Sequence, residues 1–129
     1  MTDLLKGHIS RADSARVFCD MVNAMAKTDP GTYRVAFLDS RAREVCWPWY
    51  RAFLLPGEVA DAVKEYKAAG VIIGFRTYEH SPLPTGEDLE FVAELTAMVG
   101  VPVLDFTIFS NHGLLFYSLR REGHMQALA

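Results

Sequence analysis

Apolar residues recur along this chain with two different periods, and these periods predict its secondary-structure elements. Within residues 11–28 the apolar positions fall three and four residues apart, the spacing of one face of an α-helix. Residues 33–39 alternate between apolar and polar, as a half-buried strand does. A polar turn then leads into a second strand over residues 44–53, which pairs back on the first as a hairpin. A second helix is expected from Pro56, because proline suits the first helical turn, and Gly70 is expected to stop it.

The second half of the chain predicts a central strand, a helix and a final pair of strands. Residues 71–75 form a short, continuous apolar run bounded by glycine, which is typical of a strand covered on both faces. Thr85 stands three residues before Asp88 at the start of a helical pattern, and this pair resembles a capping box. Two further strands are expected, over residues 101–109 and 114–119.

Together these elements predict one α/β (α+β) domain, in which a mixed β-sheet is flanked by about three helices. The chain has 129 residues, of which 50% are hydrophobic and 22% charged. Both values are typical of a single globular domain. We assign residues 1–129 to that domain, with a helix over 11–28, a core over 33–120 and a loosely held tail over 122–129.

Charge and hydropathy restrict the classes of partner. The net charge of −3 at pH 7 does not favour binding to a polyanion such as nucleic acid. The arginines that bunch within residues 41–51 and 120–121 are interpreted as a solvated face. No segment approaches the ~20 apolar residues that span a bilayer, and the N-terminus lacks the apolar region of a signal peptide. The sequence therefore predicts a cytoplasmic protein without a membrane segment.

Three aromatic residues, Trp47, Trp49 and Tyr50, surround Pro48 in the second predicted strand. Proline cannot donate a hydrogen bond to a β-ladder, so Pro48 favours an edge strand or a bulge. The aromatic side chains then have two interpretations: half-buried packing, or a surface for a protein partner or a homodimer. The sequence leaves both open.

The strongest chemical signal is the spacing Phe75-x-Thr77, seven residues, then Thr85-x-x-Asp88. It resembles the metal motif of RadC-like domains, a branch of the JAB/MPN fold, which reads His-x-His, seven residues, Ser-x-x-Asp. The similarity runs without a gap over residues 71–88.

Other segments resemble the same family in the same order. Residues 33–40 are similar to its first strand, residues 56–59 to the start of its second helix, and residues 100–105 to its entry into the late strands. The resemblance covers residues 35–123 apart from a shortened segment within 47–56. It implies a JAB/MPN, cytidine-deaminase-like architecture.

The resemblance also implies a zinc-dependent (iso)peptidase site in the family. Two histidines and an aspartate hold the zinc, a serine stabilises the oxyanion, and a glutamate takes the proton of the zinc-bound water. The matching positions of this chain are Phe75 and Thr77 for the histidines, Asp88 for the aspartate, Thr85 for the serine and Gly31 for the glutamate. We therefore expect a degenerate JAMM motif that binds no zinc and no other cofactor.

Three functions remain open. The leading hypothesis is a pseudoenzyme that acts as a binding or scaffold module, in which Thr85 and Asp88 serve as a helix cap. The second is an active metal-dependent hydrolase with relocated ligands, in which His80 and Glu79 join Asp88; an ordinary loop histidine is the other interpretation of His80. The third is nucleic-acid binding, which rests only on the association of the RadC family with DNA repair. The remaining histidines, His8, His112 and His124, have no ligand-like spacing.

Overall fold

A computed structural model describes residues 11–125, which form three helices and five strands in the predicted order. The helices are α1 (Arg11–Met25), α2 (Pro56–Tyr66) and α3 (Gly86–Val99). The strands are β1 (Tyr33–Leu38), β2 (Trp49–Arg51), β3 (Gly70–Arg76), β4 (Val103–Phe109) and β5 (Phe116–Ser118).

The strands form one mixed sheet in the order β2-β1-β3-β4-β5. Strands β3 and β4 are parallel, and the other neighbours are antiparallel. Helix α1 packs on one face of the sheet, while α2 and α3 pack on the other. The predicted mixed α/β class, with a central strand in the third position, is confirmed.

The side chains of β3 supply the core on both sides of the sheet. Val71 and Ile73 pack with the residues of α2 and α3, and Ile72 packs with those of α1. All three are almost completely buried. The short apolar run therefore marks a strand covered on both faces, as the sequence predicts.

Strand β1 is also covered on both faces, and the prediction of a half-buried strand is wrong. Val35 and Phe37 face α2 and α3, whereas Ala36 and Leu38 lie in the cluster under α1. The alternation was misleading because Arg34, the polar residue of the pattern, is itself only 8% exposed. Its guanidinium is satisfied by ion pairing and hydrogen bonding, so a charged residue remains compatible with a covered face.

Helix α1 ends at Met25, three residues before the predicted boundary. The amide of Lys27 donates to the carbonyl of Ala24 at 3.2 Å, which tightens the chain into a turn. The hydroxyl of Thr28 donates to the same carbonyl at 2.9 Å. Thus residues 26–28 are a terminal turn of the helix.

The second predicted strand is shorter than residues 44–53. Only β2 is a strand there, and an isolated bridge joins Leu38 to Glu44. Pro48 immediately precedes β2, which lies at the edge of the sheet as its proline predicts. The segment before Pro48 leaves the ladder and continues as irregular chain.

The predicted loose tail begins with residues that are hydrogen-bonded. The amides of Glu122, Gly123 and His124 donate to the carbonyls of Ser118, Arg120 and Leu119, respectively. The chain therefore turns back after β5, and the rest of the predicted tail, from residue 126, lies outside the described residues, as does His8. Within residues 11–125 no helix has the length and apolar character needed to cross a membrane.

The close packing of α1 on β3 predicts the effect of a small substitution. A Cβ added at Gly74 would lie 2.7 Å from Sδ of Met21 and 3.0 Å from Cγ of Met25. We expect Gly74→Ala to lower the free energy of unfolding by about 1–3 kcal/mol, because the methionines must move. Urea denaturation measures this change.

The matched control is Gly86→Ala in the first turn of α3, where an added Cβ meets nothing within 4 Å. That substitution should leave stability unchanged or raise it by about 0.4–1 kcal/mol, since alanine restricts the unfolded chain. Equal unfolding midpoints for the two variants would contradict the packing described for Gly74.

Candidate functional site

Gly31, Phe75 and Thr77 lie where the end of β3 meets the beginning of β1, and Thr85 and Asp88 lie at the start of α3. Thr85 is the N-cap of α3, with extended backbone angles of φ −90° and ψ 170°. Its hydroxyl accepts a hydrogen bond from the amide of Asp88 at 3.2 Å, and the Asp88 carboxylate accepts one from the amide of Thr85 at 2.9 Å. The predicted capping box is confirmed. One oxygen of the Asp88 carboxylate is therefore committed to the helix start.

Phe75, for which the resemblance predicts the first histidine position, stacks on an aromatic neighbour. Tyr33 of β1 is paired directly with Phe75 of β3 in the antiparallel ladder. Their ring centroids lie 4.3 Å apart, with an interplanar angle of 25°. Cross-strand aromatic pairs of this kind stabilise a sheet by roughly 0.5–1.5 kcal/mol beyond their burial.

Two further rings extend this pair into an aromatic cluster of Tyr33, Phe75, Phe91 and Phe106. Phe91 of α3 lies 6.3 Å from Tyr33 and 5.8 Å from Phe106 of β4, measured between ring centroids. Phe106 is completely buried and the other three are partly buried. The aromatic cluster thus joins α3 to strands β1, β3 and β4.

The phenol of Tyr33 connects the aromatic cluster with the capping box. Burial raises the pKa of Tyr33 above its ordinary value of 10.0, and the carboxylates of Asp88 and Glu87 raise this pKa further. Both carboxylates disfavour the phenolate because like charges repel. The phenol of Tyr33 therefore stays protonated, and so neutral, to a higher pH than a free tyrosine does.

Gly31, for which the resemblance predicts the position of the family glutamate, has a backbone conformation that favours glycine. Its φ of +87° lies in the left-handed region that favours glycine, and an added Cβ would lie 2.2 Å from Oη of Tyr78. The Gly31 amide donates to the carbonyl of Arg76 at 2.6 Å, which fixes the loop against the end of β3. A proton-accepting side chain at this position would require Tyr78 to move.

Thr77, at the second histidine position, belongs to a turn. Its amide donates to the carbonyl of Phe109 at 2.9 Å, and its hydroxyl accepts from the amide of Glu79 at 3.2 Å. The donor set at the family positions is therefore one carboxylate and two hydroxyl groups. Zinc sites in proteins use three or four Cys, His or carboxylate ligands, so these residues do not fit zinc.

The relocated ligands proposed for an active hydrolase lie in the loop after β3. Glu79 and His80 are exposed, and the ring of His80 lies 6.3 Å from that of His112. The sequence did not predict this proximity, which arises because the turns after β3 and β4 are adjacent: the amide of Asn111 donates to the carbonyl of Glu79 at 2.8 Å. Among residues 11–125, no group of three or more His, Cys, Asp or Glu is arranged to hold a metal ion. The relocated-ligand hypothesis stays a prediction.

The three aromatic residues around Pro48 differ in their environments. Trp49 is half-buried, with its ring 4.9 Å from that of Phe37. Tyr50 is 52% exposed, and its hydroxyl accepts a hydrogen bond from Arg34 at 2.9 Å. Trp47 is 90% exposed. The packing interpretation therefore applies to Trp49, and Trp47 remains available to a partner.

The chain that follows β2 adds apolar surface that the sequence did not single out. Phe53 is 71% exposed and Leu55 is 48% exposed. We call Trp47, Tyr50, Phe53 and Leu55 the β2 edge segment. The periodicity of apolar residues could not identify Phe53 and Leu55, because both lie in irregular chain just before α2.

The basic residues have local partners in the structure. Arg43 pairs with Asp39 and Arg51 with Glu58, each at 3.2 Å. The guanidinium of Arg120 donates to backbone carbonyls at the start of β4. Neither Arg51 nor Arg120 is part of a simple solvated face, and these contacts give no support to a nucleic-acid interface.

Comparison with known proteins adds no relatives: the sequence matches no family model and no curated protein.

The coupling of Tyr33 to Asp88 predicts a pH dependence. A group whose pKa is raised by folding contributes stability that is fully present below its unfolded pKa and is lost as the pH rises through its folded pKa. We therefore expect part of the alkaline loss of stability, above about pH 10, to disappear in Tyr33→Phe. Urea denaturation between neutral pH and pH 11 measures this difference.

The contribution of Asp88 can be measured separately. Asp88→Asn keeps a cap acceptor and removes the charge, so the pKa of Tyr33 should fall towards 10.0. NMR titration of ¹³Cζ-labelled tyrosine follows this pKa directly, and Asp61→Asn on the exposed side of α2 is the control. An unchanged Tyr33 pKa in Asp88→Asn would contradict the arrangement.

Proposed function

We propose that this chain is a RadC-like JAB/MPN domain that has lost the zinc-dependent peptidase site and acts as a binding or scaffold module. The observation that supports this proposal most directly is the stack of Phe75 on Tyr33 at 4.3 Å. A phenyl ring provides no lone pair for zinc, and here it is held in place by its strand partner and by two further rings.

Two other family positions support the loss of catalysis. Gly31 lies under Tyr78, so the general base of the family has no counterpart there. Asp88 keeps the family carboxylate, but its hydrogen bond to the amide of Thr85 gives it a structural role. The capping box and the aromatic stack both stabilise the domain without a metal, which explains how the frame of such a site persists after its chemistry is lost.

The β2 edge segment supports the binding role. An edge strand presents unpaired backbone groups, and exposed aromatic side chains are enriched among residues that dominate protein interfaces. Trp47 is 90% exposed and lies two residues before the edge strand β2, so the exposed aromatic side chain and the unpaired strand edge are neighbours in the chain. The proposed occupant of this surface is a protein partner.

Restoring the metal ligands tests the proposed origin of the site. The double substitution Phe75→His with Thr77→His recreates the His-x-His spacing in front of Thr85 and Asp88. If the frame is that of the family, isothermal titration should show one tightly bound zinc ion per chain. The same double variant with Asp88→Asn is the matched control and should lose most of this binding.

Two results would count against the proposal. A folded double variant without zinc affinity would show that these positions do not converge as they do in the family. Conversely, one zinc ion per chain in the native protein, lost on chelation together with peptidase activity, would favour the hydrolase with relocated ligands. In that case His80→Ala and Asp88→Ala should each abolish zinc binding.

A photo-crosslinking amino acid at position 47 tests the partner surface in cells of the source organism. We expect one discrete protein adduct from position 47, because Trp47 is the most exposed residue of the β2 edge segment. Leu114, which is 82% exposed and precedes the opposite edge strand β5, is the matched control position. Adducts of equal yield from both positions, or none from position 47, would contradict a specific interface at β2.

A further inference from the structure

A pocket lies between α1, the sheet and the turn after β5, on the face of the sheet opposite to the aromatic cluster. Its volume is about 430 Å³, which is within the range of roughly 300–1,000 Å³ typical of ligand sites. Ala15 and Phe18 of α1 form one wall, and Ile72 and Leu104 of the sheet form the floor. These walls are apolar.

A β-bulge shapes the floor of this pocket. Val71 pairs with Val103, but Ile72 pairs with Asp105, so Leu104 is the extra residue of β4. Both Leu104 and Asp105 line the pocket as a result. The bulge therefore brings a polar side chain to the end of an otherwise apolar floor.

The guanidinium of Arg120 is the only lining group among the described residues with a buried donor that lacks a partner. Its Nε donates to the carbonyl of Leu104 and its Nη2 to that of Val103, which fixes the plane of the group. Its Nη1 is buried and has no hydrogen-bond partner. Burial lowers the pKa of Arg120, although Asp105 opposes this effect. Nη1 is enclosed by the protein, so an anion in the pocket would interact with this partly buried guanidinium through its charge.

The carboxylate in the pocket does not satisfy that donor. Asp105 is 4% exposed, and one oxygen accepts from the amide of Arg120 at 3.1 Å while the other accepts from the hydroxyl of Ser118. A second guanidinium, that of Arg121, lies over the ring of Phe18 at 4.5 Å and also lines the pocket. Two guanidinium groups thus face one carboxylate, and the lining has an excess of one positive charge.

We infer that this pocket binds a small amphipathic carboxylate, whose acid group lies against the guanidinium groups of Arg120 and Arg121 and whose apolar body lies on Ile72 and Leu104. The inference is independent of the proposed function, because it uses neither the aromatic cluster nor the β2 edge segment. Arg120 would select the charge, and the walls would select an apolar chain or ring.

Three matched probes test the charge selectivity on the full chain: 4-phenylbutyrate, 4-phenylbutanol and 4-phenylbutylamine. We expect saturable binding of the carboxylate by isothermal titration, at least about tenfold tighter than binding of the alcohol, as a charge-assisted hydrogen bond implies. The amine should bind more weakly still. Methyl NMR signals of Ile72 and Leu104 should shift on titration.

Two pairs of variants locate the site. Ala15→Trp fills the pocket and should reduce carboxylate affinity at least about tenfold, while Asn23→Trp, at an exposed position of α1 outside the pocket, should not. Arg120→Gln should remove the preference for carboxylate over alcohol. Arg120 also donates to the carbonyls of Val103 and Leu104 at the bulge. If Arg120→Gln misfolds because these bonds are lost, the affinity of Ala15→Trp decides the test.

Three results would overturn the inference: no saturable binding of the carboxylate, equal affinity for carboxylate and alcohol, or carboxylate binding that survives Ala15→Trp.

Discussion

The pairing of β3 on both of its sides is the constraint on which the rest of this structure depends. β3 pairs with β1 along six residues of an antiparallel ladder and with β4 in parallel. Because both of its faces are also covered, its side chains determine where α1 and the pair α2 and α3 can lie. The register with β1 places Tyr33 against Phe75, and the register with β4 creates the bulge at Leu104. The two sites discussed above are thus consequences of one strand.

The aromatic cluster and the capping box hold the end of β3, the beginning of β1 and the start of α3 through side chains of the chain itself. In many small metal-binding domains the ion contributes directly to folding, and its loss unfolds the chain. Here the helix start is capped by its own side chains and the strands are joined by stacked rings. Both interactions are short in range and need no charged group to be desolvated. The chain itself thus provides the interactions that hold this end of the sheet to α3.

The sequence predicted those features whose cause is local. The capping box spans four residues, and Gly100, with φ +71°, ends α3 as a glycine is expected to. The predicted end of α2 was wrong. The helix is terminated by Lys67, which adopts the left-handed conformation with φ 54°. Gly70, which was expected to stop the helix, begins β3 instead. A lysine in that conformation has no sequence signature.

Features that depend on the approach of distant segments were not predictable. The stack of Tyr33 on Phe75 requires the register of β1 against β3, which alternation alone does not determine. The contact of Tyr78 with Gly31 and the proximity of His80 to His112 require loops to meet. The positions of the degenerate motif could be named from the sequence, but what fills the space between them could not.

The contact between Gly31 and Tyr78 also bears on which substitutions this loop tolerates. Any residue with a Cβ at position 31 would meet both a left-handed backbone and the phenol of Tyr78. Tyr78 is 73% exposed, so its side chain has room to turn away, whereas the strain of the backbone would remain. The conformation of the loop thus selects glycine independently of the side chain that covers it.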